Sequence, residues 1–238
     1  MTVHVRRPAA SKADVLARYE EHSHAAEEHR KMMSSAQTWE NRFEEAAHLI
    51  PWKGVRTWLD VGCGTARLFQ KVIDAGVAPA LERCVGVDAT VNSLQTARDK
   101  AWPQRPAVTF SQHDIEDLDS LDGGTFDLVT MVGVVYQCGL PPALAVEKCL
   151  RRVASPGLFL VTTENPRFRG FVEDPHGCYP ERSEFEAMLR STTAAGPALV
   201  VQYTNPLWRQ RAAGVIEEES ADYKEIFFLA ACGAPITG

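Results

Sequence analysis

Two glycines in the segment LDVGCGTARL, residues 59–68, are the first residues whose spacing points to chemistry. Gly62 and Gly64 follow an apolar run in the G-x-G spacing of a nucleotide-binding turn, where the missing Cβ atoms let the backbone approach a ligand. Arg67 stands where the dinucleotide fingerprint has its third glycine, which argues against an ordinary NAD or FAD site. The pattern predicts a nucleotide-like ligand without a pyrophosphate. A purely structural turn is the alternative.

Acidic residues end the next two apolar runs, VGVDAT and QHDIEDL. Asp88 stands at the carboxyl tip of the second run, where a carboxylate can accept hydrogen bonds from both ribose hydroxyls. Asp114 ends the third run and offers an acceptor for an exocyclic amine, and Ile115 beside it offers an apolar wall for a purine ring. A helix cap at Asp88 and a turn cap at Asp114 are the alternatives. Together with the glycine turn, the two acids predict an adenosine ligand without a phosphate chain.

The elements that must position these residues alternate between short apolar runs and helical periods, which predicts an α/β fold with a parallel, doubly wound sheet. The predicted strands are Thr57–Val61, Cys84–Val87, Val108–Gln112, Phe126–Val132, Leu158–Thr162, Ala198–Tyr203 and Ile226–Ala231. The predicted helices between and after them are Thr65–Ala75, Ser93–Ala101, Pro142–Val153 and Arg182–Arg190. The last two strands lack a helix between them, which suits an antiparallel hairpin at the sheet edge.

The first 50 residues form a separate part of the prediction. Two polar helices are expected over residues 12–33 and 37–50, and the first has few apolar anchors. We therefore divide the chain into an N-terminal helical lid, residues 1–50, and a ligand-binding domain, residues 51–238.

Composition narrows the function further. The chain has 238 residues, 45% of them hydrophobic, and a formal net charge of −6, so it can build one core and lacks the overall basic charge of a nucleic-acid binder. Its six cysteines form no C-x-x-C pair, and His22, His24 and His29 are spread too far along a helix to share one metal ion. No window is apolar enough to span a membrane. We expect a cytoplasmic protein that needs no metal.

The ordered motifs LDVGCGTARL, VGVDAT, HDIEDL, FDLVTMVGVVYQC and LRRVASPGLFLVTT, over roughly residues 57–163, resemble those of the class I S-adenosylmethionine-dependent methyltransferases. The resemblance implies a Rossmann-like sheet of seven strands with the last strand antiparallel, and S-adenosyl-L-methionine as the cofactor. It implies that the turn from Gly62 to Gly64 lies against the methionine part, that Asp88 holds the ribose and that Asp114 and Ile115 hold the adenine. The other residues expected to line the cofactor site are Asp60, Cys63, Ala89 and Val132.

The candidate catalytic residues are Tyr136 and His176. Related sequences often have histidine where GVVYQC has Gln137, so a general base at that position is not assumed. Methyl transfer from a sulfonium needs a base only if the acceptor must lose a proton. Tyr136 follows the fourth strand, where it either faces the methyl group or forms a wall. His176 lies in an irregular segment, where a surface loop is the alternative.

We expect the methyl acceptor to bind at that same irregular segment. Its candidate substrate-binding residues are Arg167, Arg169 and Tyr179. Paired guanidinium groups suit a small acceptor with a carboxylate or phosphate. Arginines and aromatic residues also alternate in PRFRGF and PLWRQR, which keeps a tRNA-modifying methyltransferase as an alternative. A noncatalytic partner protein that binds the cofactor is a further alternative.

Overall fold

The sheet carries the candidate site at one edge, where its parallel strands end. In the computed structural model its strand order is β3-β2-β1-β4-β5-β7-β6. Strands β1 to β5 are parallel to one another, whereas β7 is antiparallel to both β5 and β6. The predicted α/β Rossmann-like architecture is confirmed.

The structure describes residues 12–22, 50–136, 138–164, 180, 182–193, 199–201 and 227–234. The strands are β1 Thr57–Val61, β2 Arg83–Asp88, β3 Ala107–Gln112, β4 Phe126–Val132, β5 Val153–Glu164, β6 Leu199–Val201 and β7 Phe227–Ala234. The helices are α1 Lys12–His22, α2 Arg67–Ala75, α3 Val91–Arg98, α4 Pro142–Leu150 and α5 Arg182–Thr193. Short 3-10 helices occupy Trp52–Gly54 and Ile115–Ser120.

Two apolar clusters cover the two faces of the parallel strands. One cluster contains Phe159 of β5 with Val146 of α4 and Phe185 of α5. The other contains Trp58 of β1 with Phe69 of α2 and Ala97 of α3. Helices thus pack on both faces, which is the doubly wound arrangement that the alternating sequence predicts.

The pairing register of the strands aligns the strand ends that carry the candidate ligand-binding residues. Val61 at the end of β1 pairs with Val87, and Asp88 at the end of β2 pairs with Gln112. Asp60 pairs with Thr130 of β4 on its other side. The turns after β1, β2 and β3 therefore start from one edge of the sheet, where open parallel sheets bind ligands.

Some predicted boundaries are wrong, for local reasons. Helix α2 begins at Arg67 rather than Thr65, because Ala66 before it adopts a left-handed conformation with φ of 57°. Strand β5 begins at Val153 rather than Leu158, and α4 ends at Leu150. Of the expected lid, helix α1 is described and agrees with the predicted start. The division into lid and domain stays a prediction, since residues 23–49 lie outside the described part.

Neither a membrane-spanning helix nor a metal-binding cluster is found among the described residues. In this part of the chain no helix has both the length and the apolar character to cross a membrane. No group of His, Cys, Asp and Glu side chains within the same residues is arranged to hold a metal ion.

Gly86→Ala should destabilise the sheet beneath the site. A Cβ at position 86 would lie 2.8 Å from Cys63 Sγ and 2.8 Å from Phe110 Cδ1, closer than nonbonded atoms approach. We expect a loss of about 1–3 kcal/mol in the free energy of unfolding, the usual cost of overpacking a core. Denaturant unfolding measures it. Adding Cys63→Ala should recover part of the loss, and an unchanged unfolding midpoint in the single variant would contradict the packing.

Candidate functional site

The glycine turn after β1 has the backbone shape that its sequence predicts. Gly62 and Gly64 have φ of 70° and 52°, a region that residues with a Cβ rarely adopt. The Gly62 and Cys63 amides donate to the Val87 carbonyl at 2.8 and 3.0 Å, so the turn is tied to β2. A Cβ at Gly62 would overlap the Val134 side chain. The turn is therefore fixed by two neighbouring segments before any ligand binds.

Asp88 is bonded on both carboxylate oxygens. Its Oδ2 accepts from the Gly64 amide at 2.8 Å, which links the tip of β2 directly to the glycine turn. Its Oδ1 accepts from the Thr90 amide at 2.9 Å and from the Thr90 hydroxyl at 2.6 Å. These bonds use three of the roughly four lone-pair positions of a carboxylate. Asp88 is not the helix N-cap of the alternative interpretation, because Thr90 occupies that position. One acceptor position of Asp88 remains.

Asp60 is a buried acid held by a chain of hydrogen bonds. Only 4% of its surface is exposed, and its Oδ1 lies 2.6 Å from the Thr130 hydroxyl. That hydroxyl oxygen must accept from the Trp58 indole N–H at 2.8 Å, because an indole nitrogen only donates, so its own proton points to Asp60. Burial raises the pKa of Asp60 to about 7, opposed by the Thr130 hydrogen bond and reinforced by the charge of Asp88.

Cys63 lies in the turn as a buried thiol. Burial raises the pKa of Cys63 well above its ordinary value, and the charges of Asp88 and Asp60 raise it further. The thiol therefore stays protonated near neutral pH and is a poor nucleophile. Its position against Gly86 gives it a packing role.

Asp114 is the N-cap of the 3-10 helix after β3, in agreement with its alternative role as a turn cap. Its Oδ1 accepts from the Glu116 amide at 3.0 Å, and its Oδ2 lies 2.9 Å from Lys12 Nζ of α1. Ile115 is only 7% exposed and belongs to the core, so little of its surface is open to a ligand. Lys148 of α4 donates to the Glu116 carbonyl at 2.8 Å and anchors this helix from the other side.

Two further residues of the expected cofactor set are less informative. Ala89 is half-buried, and its carbonyl accepts from Gln112 Nε2 at 3.1 Å. Val132 at the end of β4 is half-buried and packs against the core cluster that contains Trp58.

Tyr136 lies just beyond β4, beside helix α5. Its ring centroid is 6.5 Å from that of Phe185. Burial raises the pKa of Tyr136, and the charge of Glu184 raises it further, so the phenol keeps its proton at neutral pH. This favours a hydrogen-bond donor or a wall over a general base.

The remaining candidates lie outside the described residues. They are Arg167, Arg169, His176 and Tyr179, and Gln137, which was given no role, also lies outside this part. Their expected roles stay predictions.

Three residues near the site were not identified from the sequence. Thr130 was visible only as a polar residue inside the apolar run FDLVTMV. Lys12 and Glu20 of α1 contact the segments after β3 and β2, and nothing in a polar helix distinguishes them from other surface charges.

Comparisons with known proteins agree with this geometry. Residues 59–157 match the model of a family described as a methyltransferase domain. A ubiquinone biosynthesis O-methyltransferase from Alkalilimnicola ehrlichii is 32% identical over 114 residues, 47% of this chain and 44% of that protein. The chain thus spans less than half the length of this curated relative.

Solved structures share the fold over most of their length. A chain in the complex between the Haloferax volcanii Trm112 methyltransferase activator and a methyltransferase has a TM-score of 0.66 at 16% identity, covering 94% of this chain and 99% of that one. The plantazolicin methyltransferase BamL, in complex with a triazolic desmethylPZN analogue and SAH (S-adenosylhomocysteine), has a TM-score of 0.67 at 12% identity, with coverage of 92% of this chain and 94% of that one. The match over residues 59–157 and the methyltransferase relatives support a class I S-adenosylmethionine-dependent methyltransferase domain in this chain, with S-adenosylmethionine as its cofactor.

Asp60→Asn should change how stability depends on pH. Burial raises the pKa of this carboxyl from 3.8 to about 7, so the folded protein holds the proton more tightly than the unfolded chain. The stability gained by protonation is complete below about pH 3.8 and is lost as the pH rises through about 7. We expect the wild type to lose up to about 4 kcal/mol of unfolding free energy from this group across that range.

The Asp60→Asn variant should lack this fall in unfolding free energy with pH. It should therefore be more stable than the wild type above pH 7. Denaturant unfolding at a series of pH values measures the difference. Asp74→Asn, at an exposed position of α2, should keep the wild-type profile. A wild-type profile in the Asp60 variant would show that the site does not perturb this carboxyl.

Proposed function

We propose that the protein transfers a methyl group from S-adenosylmethionine to a small-molecule acceptor. The observation that carries this proposal is the bond between the Gly64 amide and Asp88 Oδ2, at 2.8 Å. It joins the turn that a methionine part would contact to the acid that a ribose would contact. The two groups therefore belong to one site.

The hydrogen-bond acceptors of the site suit the ribose hydroxyls and the adenine amine of the cofactor. One acceptor position of Asp88 is open, and rotation of the Thr90 hydroxyl would free another for the second ribose hydroxyl. Asp114 keeps lone pairs for an adenine amine beside its two present donors. A pyrophosphate would meet three acidic side chains, so the same site disfavours NAD.

Charge supports the choice of a cationic cofactor. Asp60 is buried, and its pKa of about 7 reflects the cost of keeping a charge there. The sulfonium and ammonium groups of S-adenosylmethionine would stabilise that carboxylate if they bind at the adjacent turn. The cost of the buried acid in the free protein is thus consistent with a role in binding a cation.

The sulfonium supplies an activated methyl group, and the chain's own task is to align the acceptor with it. Holding two reactants in line contributes about 7–11 kcal/mol to catalysis in favourable cases. Tyr136 keeps its proton, so we assign it a donor or wall role beside the acceptor. His176 is proposed as the base for acceptors that must lose a proton.

We further propose an anionic small acceptor, held by Arg167 and Arg169 with Tyr179. The net charge of −6 disfavours a polyanionic RNA substrate. Salt-sensitive retention of tRNA by the protein would instead favour the tRNA-modifying alternative. Cofactor binding without any turnover would favour a noncatalytic partner.

S-adenosylmethionine and S-adenosylhomocysteine should bind, and NAD should not. Asp88→Ala should weaken the binding free energy by about 1.5–3 kcal/mol, because charge-assisted hydrogen bonds to the ribose are lost. Isothermal titration calorimetry measures both. Asp74→Ala, an exposed acid on α2, serves as the control and should bind as the wild type does. Unchanged affinity in the Asp88 variant would contradict the ribose assignment.

Incubation of metabolite pools with the enzyme and cofactor should produce a compound heavier by one methyl, detected by mass spectrometry. With that acceptor, Arg167→Ala and Arg169→Ala should raise KM strongly at nearly unchanged cofactor affinity, since only the anion contact is lost. His176→Ala should lower kcat only if the acceptor loses a proton. Arg190→Ala, at an exposed position of α5, is the matched control. Wild-type constants in all variants would place the acceptor elsewhere.

A further inference from the structure

Helix α1 is attached at its two ends to the two segments that carry the candidate adenosine-binding acids. At its first residue, Lys12 Nζ lies 2.9 Å from Asp114 Oδ2 and 2.9 Å from Glu116 Oε1. These are the acid at the tip of β3 and a residue of the 3-10 helix that follows it.

The other attachment lies at the N-terminus of α3. Glu20 Oε1 accepts from the Val91 amide at 2.9 Å, and its Oε2 lies 3.4 Å from the Asn92 amide. Asn92 Nδ2 donates back to the Glu20 carbonyl at 3.0 Å. A carboxylate is favoured here because helix N-termini have unpaired N–H groups and a partial positive charge. Helix α3 starts directly after the turn that Asp88 stabilises.

Between these attachments, α1 spans the edge of the sheet. About 12 Å of helix axis separates Lys12 from Glu20. Gly139, in the segment after β4, permits this position, because a Cβ there would lie 2.7 Å from Lys12 Cβ. The helix therefore contacts the segments that follow β2, β3 and β4.

We infer that Lys12 and Glu20 form an ionic latch that holds α1 over the adenosine end of the cofactor site and sets the rate of cofactor exchange. This inference rests on the proposed cofactor site. Lys12 and Glu20 would thus close that site, and cofactor exchange is the step that they would control.

The chemistry of Asp114 supports this assignment. An adenine amine and the Lys12 ammonium are both donors to the same carboxylate, and the Glu116 amide already uses its Oδ1. The amine can share Asp114 with Lys12 only through a lone pair that Lys12 and the Glu116 amide leave open, close to the first residue of α1. Adenosine held between Asp114 and Asp88 would thus leave only after at least one attachment of α1 opens.

The strength of the contacts suits a latch that opens at every turnover. The side chains of Lys12, Asp114 and Glu116 are 31%, 21% and 48% exposed, and ion pairs at such positions are individually weak and screened by salt. Among the side chains of α1 that the structure describes, Leu16 is the one large apolar residue, and the others are polar or small. Salt should therefore act on the latch directly.

The test measures association and release of radiolabelled S-adenosylhomocysteine with wild type, Lys12→Ala, Glu20→Ala and the double variant. We expect both rates to rise by about 2- to 5-fold in each single variant, because Lys12→Ala removes two exposed ion pairs and Glu20→Ala removes the hydrogen bonds to the N-terminus of α3. The equilibrium Kd should change less than either rate. Lys53→Ala and Asp74→Ala remove one exposed charge of each sign elsewhere and should leave both rates unchanged.

High salt provides a second test that needs no substitution. It should speed exchange in the wild type and have little effect on exchange in the double variant. Unchanged rates in the variants, or salt-independent exchange in the wild type, would overturn the latch. Slower association in Lys12→Ala would also overturn it and show that Lys12 attracts the ligand. A wild type that binds no S-adenosylhomocysteine would instead contradict the proposed function.

Discussion

The hydrogen bond from the Gly64 amide to Asp88 is the contact on which the rest of the site depends. It fixes the distance between the turns after β1 and β2. The same carboxylate holds Thr90, the residue from which α3 starts, so the helix and the turn share one anchor. Glu20 then reaches the first amides of α3. One acid therefore links the glycine turn, the neighbouring helix and, through it, α1.

A buried second acid lies beside this anchor and constrains the core. Asp60 is stabilised by Thr130, which is itself held by the Trp58 indole, so the site and the core cluster around Trp58 share one hydrogen-bond chain. An apolar residue at position 60 would avoid the cost of desolvation. The retained acid, with a pKa of about 7, is easiest to understand if a cation binds close to it.

The sequence predicted the parts of the fold and site that depend on local patterns. Strand β1 and the glycines after it were predictable, because apolar runs and left-handed turns leave local signals. Asp88 and Asp114 were predictable as strand-tip acids. The start of α2 was not, because Ala66 adopts a conformation usually reserved for glycine. The partnership of Asp60 with Thr130 was not either, because it joins residues 70 positions apart.

The charges around the site also support the proposed latch at α1. Asp60, Asp88 and Asp114 give this edge of the sheet an acidic character, and Lys12 is a cation that α1 adds to it. An acidic edge attracts a cationic ligand and the Lys12 ammonium for the same physical reason. In the proposed latch, exposed charged groups hold α1, and such contacts favour the closed state only slightly. Ligand entry and lid opening then depend on the same weak, screened interactions.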